Sequence, residues 1–155
     1  MDFRIRGLDP AAFTALHHLP DEELAAHRAV RHIADSKPGF PCRVTLEDAE
    51  PGERVLLLNY EHLPVETPYR SRHAIFVREA ARRPYDATNA MAPALAGRLL
   101  ALRAFDAQGS MVDAEIVEGA HAPGLIGKFF GDARVAYLHA HFARRGCFAA
   151  RIDRA

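Results

Sequence analysis

Apolar and charged positions alternate along the chain in short blocks, with no long stripe of a single period, which predicts a sheet-rich fold with small helices. Phe3-Arg4-Ile5-Arg6 reads as a short alternating strand. Asp9-Pro10 then supplies an N-cap followed by proline at the first helical position, predicting about two turns to His17 or His18. Pro20-Asp21-Glu22-Glu23 repeats the device, with acidic side chains where the helix dipole favours them, so a second short helix runs to about Arg28. Residues 29–34 follow as a strand. Lys37-Pro38-Gly39-Phe40-Pro41-Cys42-Arg43 reads as an ordered loop, because two prolines and a glycine fix the backbone and remove donors. Arg54 to Tyr60 reads as a strand buried on both faces and His73 to Arg78 as another, with an irregular connection from Ala80 to Pro93.

The C-terminal half carries two β-hairpin patterns. Arg98–Phe105 and Met111–Val117 flank Asp106-Ala107-Gln108-Gly109, while Tyr137–Phe142 and Cys147–Ile152 flank Ala143-Arg144-Arg145-Gly146. A three-residue loop ending in a left-handed glycine sets Leu102 opposite Ala114 and Leu100 opposite Ile116, then Phe142 opposite Phe148 and Leu138 opposite Ile152. Between the hairpins, Pro123 to Phe130 places Leu125, Ile126, Phe129 and Phe130 at helical spacing and stops at Gly131, predicting a third short helix. The expectation is a single α+β domain over residues 1–155, with a mainly antiparallel sheet, two C-terminal hairpins and three short helices.

Composition narrows the function classes. Twenty Lys+Arg balance twenty Asp+Glu, so no overall basic charge supports general nucleic-acid or membrane-surface binding. Apolar runs such as Val55–Leu58 and Leu99–Leu102 are far shorter than the roughly 20 residues of a membrane span. The N-terminal stretch has no apolar h-region, and the expected location is cytoplasmic. Cys42 and Cys147 are the only cysteines; in a reducing compartment they read as free thiols, and their separation excludes a CxxC motif.

Candidate chemistry gathers on the second hairpin. Period two puts Tyr137, His139 and His141 on one face, and the hairpin register sets Cys147, Ala149 and Arg151 beside them. A His-x-His on a strand presents two ligands to zinc or another divalent transition metal, which also accepts cysteine sulfur. Nine histidines in 155 residues produce that spacing by chance on the order of half the time, so it is a weak motif alone. In the first hairpin Arg103 falls opposite Asp113, with Glu115 on the same face, most simply as a surface ion pair. With the hairpins adjacent, Arg103, Asp113, Tyr137, His139, His141 and Arg151 make one polar field on an apolar background. Cys42 beside Arg43 is a candidate thiolate nucleophile with His139 or His141 as base, set against the plainer role of a small buried residue. Tyr69-Arg70-Ser71-Arg72 reads either as an anion clamp or as a solvated loop.

Three segments carry a family resemblance: Lys37 to Arg43, Pro68-Tyr69-Arg70 leading to Ile75-Phe76-Val77-Arg78, and the ending from His139 through His141, Gly146 and Cys147 to Arg151. Together they resemble domain-of-unknown-function family 1203. The resemblance implies a small bacterial single-domain protein and assigns no activity.

Three functions are therefore expected to compete. The first is a cytoplasmic domain binding a small polar or anionic molecule on the sheet face through Arg103, His139, His141 and Arg151, with Cys42 and Arg43 at the rim. The second is an enzyme, using either a metal on His139 and His141 or the Cys42 thiol. The third is an interaction module without a pocket, pairing through an exposed sheet edge as in a homodimer.

Overall fold

The computed structural model describes residues 1–155. Two antiparallel sheets carry the fold. The larger is built from β1 (Phe3–Arg6), β5 (Asp86–Thr88), β6 (Leu99–Phe105), β7 (Met111–Glu118), β8 (Tyr137–Phe142) and β9 (Phe148–Arg154), in the order β5-β1-β9-β8-β6-β7. The smaller is β2 (Ala29–Ile33), β3 (Arg54–Leu63) and β4 (Ser71–Arg78), in that order. Four short helices accompany them: α1 (Thr14–His17), α2 (Asp21–Leu24), α3 (Pro93–Ala96) and α4 (Ala122–Phe130). None is long and apolar enough to cross a membrane.

The α+β architecture and both C-terminal hairpins follow the sequence pattern. Asp9 caps the first turn as expected, its carboxylate accepting from the Ala11 N–H at 2.9 Å. The connection from Ala80 to Pro93 is less irregular than its composition suggests, since it holds β5 and leads into α3. Both are three or four residues long, below the length at which periodicity identifies an element.

The main core fills one face of the large sheet. Leu100, Leu102, Ala104, Leu138 and Ala140 point there and pack against Leu95 of α3 and Ile126, Phe129 and Phe130 of α4. A second core sets Leu56, Leu58, Ile75 and Val77 of the small sheet against Phe13 and Leu24. Leu63 at the end of β3 meets Phe105 and Tyr137 on the opposite face of the large sheet, which joins the two units.

Three bulges redirect side chains. Between β6 and β7 the register is Phe105 with Met111 at the turn but Ala104 with Asp113 beyond it, so Val112 is an extra residue on β7. Leu102 therefore faces Glu115 and Leu100 faces Val117, one residue off the expected pairing. Between β8 and β9, Leu138 pairs with Ile152 as expected, but His141, not Phe142, pairs with Phe148. Between β3 and β4 the register shifts from Tyr60 with His73 to Leu63 with Ser71.

Asp48 ties the proline-rich loop to α3. Its carboxylate accepts from the Gly39 N–H at 2.9 Å and from both terminal nitrogens of Arg98 at 2.7 and 2.8 Å, while Arg98 also donates to the Ala94 carbonyl. Burial works to raise the Asp48 carboxyl, but the bonds from Arg98 and Gly39 outweigh it and hold it below its ordinary value. Arg98 keeps some solvent contact, so Asp48→Ala is expected to destabilise by about 2 kcal/mol, read as a lower urea midpoint at unchanged slope. An unchanged midpoint contradicts a structural role for the pair.

Candidate metal centre

The site lies where β3 crosses the outer face of the large sheet. His139 and His141 stand two residues apart on β8 and share that face by strand alternation. His62 comes from β3, where the bulge lets consecutive residues His62 and Leu63 both meet the large sheet. The ring centroid of His62 lies 5.1 Å from that of His141 and 6.0 Å from that of His139. One ring nitrogen from each of the three lies within 4.8 Å of the others.

Each imidazole is held from outside the cluster. Phe148 stacks on His62 at 5.2 Å with the rings 9° apart, and meets His139 edge-on at 4.9 Å. Phe105 and Tyr137 close on His139 at 5.2 and 5.3 Å. Nδ1 of His141 lies 2.9 Å from the Gly146 carbonyl, which can only accept, so Nδ1 carries the proton and Nε2 the lone pair. Gly146 turns the β8–β9 connection in the left-handed region at φ +75°, where a glycine has no Cβ penalty. Because the turn places that carbonyl, it also sets the tautomer of His141.

Electrostatics keep all three rings neutral. Burial is the main cause and pushes His139 down to about 2, His141 to about 3 and His62 to about 4. The Arg103 charge pushes each in the same direction, whereas the Gly146 carbonyl works the other way on His141. Nδ1 of His62, Nδ1 of His139 and Nε2 of His141 are buried without a hydrogen-bond partner in the protein. A buried polar atom left unpaired costs about 1–3 kcal/mol, and this cluster holds three.

Residues 39–154, which contain every residue of this cluster, match the family described as protein of unknown function DUF1203. The chain belongs to this family. No curated protein and no solved structure matches it. The resemblance in the proline-rich loop and the His139–Arg151 ending therefore holds at the level of the family, which carries no assigned activity.

Within this DUF1203 chain the expected site residues divide sharply. His139 and His141 converge, with Tyr137 on the same face under the Arg151 guanidinium at 4.0 Å. Arg103 and Arg151 flank His139 on its two neighbouring strands, so the expected adjacency of the hairpins is present. Arg151 itself is exposed and pairs with Asp153 at 2.8 Å.

Four placements need correction. Asp113 does not face Arg103: the extra residue Val112 sets Arg103 opposite Ala114 and leaves Asp113 exposed, its carboxylate on the Ala114 N–H at 2.8 Å. Cys147 does not stand beside the imidazoles, because the β9 bulge gives that position to Phe148 and turns Cys147 into the main core. Cys42 lies in the second core, its sulfur accepting from the N–H groups of Val44 and Arg78, so it acts as a small buried residue and not as a partner of His139 or His141. Arg43 is not at a rim; it is 1% exposed beneath the hairpin turn. In the Tyr69–Arg72 segment Arg70 is engaged by Glu61 and Glu66, while Arg72 is exposed to solvent.

His62 and Phe148 are the participants that sequence reasoning missed. A signal for His62 existed: it stands two residues beyond Tyr60, in phase with the strand and ahead of Pro64.

Proposed function

We propose that this DUF1203 protein holds a divalent transition metal, zinc before others, on His62, His139 and His141. The carrying observation is the convergence of three neutral imidazoles whose buried nitrogens have no other partner. Imidazole suits zinc, copper, iron and nickel, whereas calcium and magnesium take oxygen ligands that this cluster lacks. Metal-bound nitrogens at about 2.1 Å from a tetrahedral ion lie about 3.4 Å apart, so the rings, now within 4.8 Å, close by up to about 1.4 Å on binding. Three protein ligands leave a coordination position for water or another molecule, the arrangement of catalytic rather than structural zinc. In the apolar surround of Phe105, Phe148 and Leu63, such an ion polarises a bound oxygen or lowers the pKa of bound water.

Untagged protein purified without chelator is expected to carry near-stoichiometric metal, lost in His62→Ala and in His139→Ala. His62 is only half-buried, so its variant tests binding with the least damage to the core. After chelation, zinc at a thousandfold excess over its dissociation constant raises stability by about 4 kcal/mol. Metal-free protein whose thermal midpoint ignores added zinc, cobalt and nickel rules the proposal out.

A further inference from the structure

The bulge that removes Asp113 from Arg103 leaves an unusual group beside the histidines. Arg103 is half-buried, yet its guanidinium has no hydrogen-bond acceptor and no ion-pair partner within the chain. Other arginines without a partner, namely Arg28, Arg72, Arg83, Arg144 and Arg145, are all exposed and satisfied by water. The Arg103 nitrogens keep contact with water, so an anion reaching them replaces solvent and not a protein partner.

The surroundings of Arg103 supply no such partner. Its cross-strand neighbours are His139 on β8 and Ala114 on β7. Asp113 and Glu115, flanking Ala114, alternate away from this face. Beyond His139 in the same row stands Arg151, whose own partner is Asp153. From the small sheet come His62 and, opposite Tyr60, His73, both imidazoles. The face thus presents three metal-type ligands and a free fixed cation, with aromatic walls and no facing carboxylate.

We propose that the outside ligand of the three-histidine centre is a small oxyanion, a carboxylate or a phosphate group, bound by the metal and the Arg103 guanidinium together. The inference rests on the metal reading and adds the ligand class to it. One oxygen occupies the open coordination position, and the Arg103 fork donates to the remaining oxygen, a geometry that guanidinium matches and ammonium does not. Phe105 and Phe148, packed against His139, offer the anion no further polar contact.

The test uses the full chain loaded with Co(II), whose visible ligand-field bands report the coordination sphere. Acetate, inorganic phosphate and the neutral acetamide are titrated separately into wild type, Arg103→Gln and Arg103→Lys. Acetate or phosphate is expected to change the bands saturably, and comparing the two assigns the headgroup, while acetamide leaves them alone. Arg103→Gln should keep the anion-free spectrum, which shows an intact site, and weaken the anion at least tenfold. Arg103→Lys should recover part of that loss. Equal anion affinity in wild type and Arg103→Gln overturns the role of Arg103, as does a response to acetamide matching that to acetate. No cobalt bands in wild type instead overturns the metal reading, and the two failures are distinct.

Discussion

Arg43→Ala is expected to destabilise the protein by about 3–5 kcal/mol, the largest effect of any single truncation considered. The side chain is 1% exposed and fully engaged: Nε donates to the Phe148 carbonyl at 2.7 Å, Nη1 to the Pro41 carbonyl, and Nη2 to the Cys147 sulfur at 3.2 Å. The Phe142 ring lies 4.9 Å from its guanidinium carbon. Burial lowers the guanidinium to about 10, with the neighbouring sulfurs acting in the opposite sense, so it remains charged at neutral pH. Truncation leaves a large void and takes the donor from two carbonyls. Arg43→Met separates these contributions: it keeps most of the volume and removes a costly buried charge, so it should lose less than half as much. Urea unfolding of chelated protein reads both variants, and an alanine variant within about 1 kcal/mol of wild type contradicts the argument. The consequence reaches the metal centre, because the carbonyl that Arg43 holds belongs to the residue whose ring stacks on His62.

The two C-terminal hairpins, the helix between them and the shared face of Tyr137, His139 and His141 were legible because each depends on residues close in sequence. Gly109 and Gly146 mark their turns, and both adopt positive φ. What local pattern does not encode is a bulge. Val112 costs β7 one residue of register, which separates Arg103 from Asp113. The corresponding shift in β9 exchanges Cys147 for Phe148 at the histidines. A slip by one residue reverses every side chain beyond it, so a correct hairpin can still yield a wrong site. His62 was lost differently. It belongs to another sheet, 77 positions before His139, and reaches the cluster only because Leu63 anchors the end of β3 on Phe105 and Tyr137. Its partner face is set by tertiary packing, while Pro64 makes the strand look shorter than it is.

Metal-free protein is expected to lose about 4 kcal/mol of stability between pH 7 and pH 5, through His139 and His141 alone. An unfolded histidine titrates near 6.5, whereas burial holds these two at about 2 and about 3 in the folded chain. Below pH 6.5 the unfolded state therefore binds protons that the folded state refuses. Stability from this source is fully present above that pH and declines as pH falls toward the folded values. Each unit of pH in that window costs about 1.4 kcal/mol per histidine, hence about 2 kcal/mol apiece at pH 5. His62 is left out of this sum, because its ring is only half-buried and solvent screening discounts its shift. Urea unfolding at pH 7, 6 and 5 in chelator measures the slope directly. Replacing both β8 histidines by leucine should remove most of it, leaving the part that His62 carries. Equal stability at pH 7 and pH 5 in the wild type contradicts the burial of neutral imidazoles. The same neutrality makes the cluster ready for a metal, whose binding at neutral pH displaces no proton from these rings.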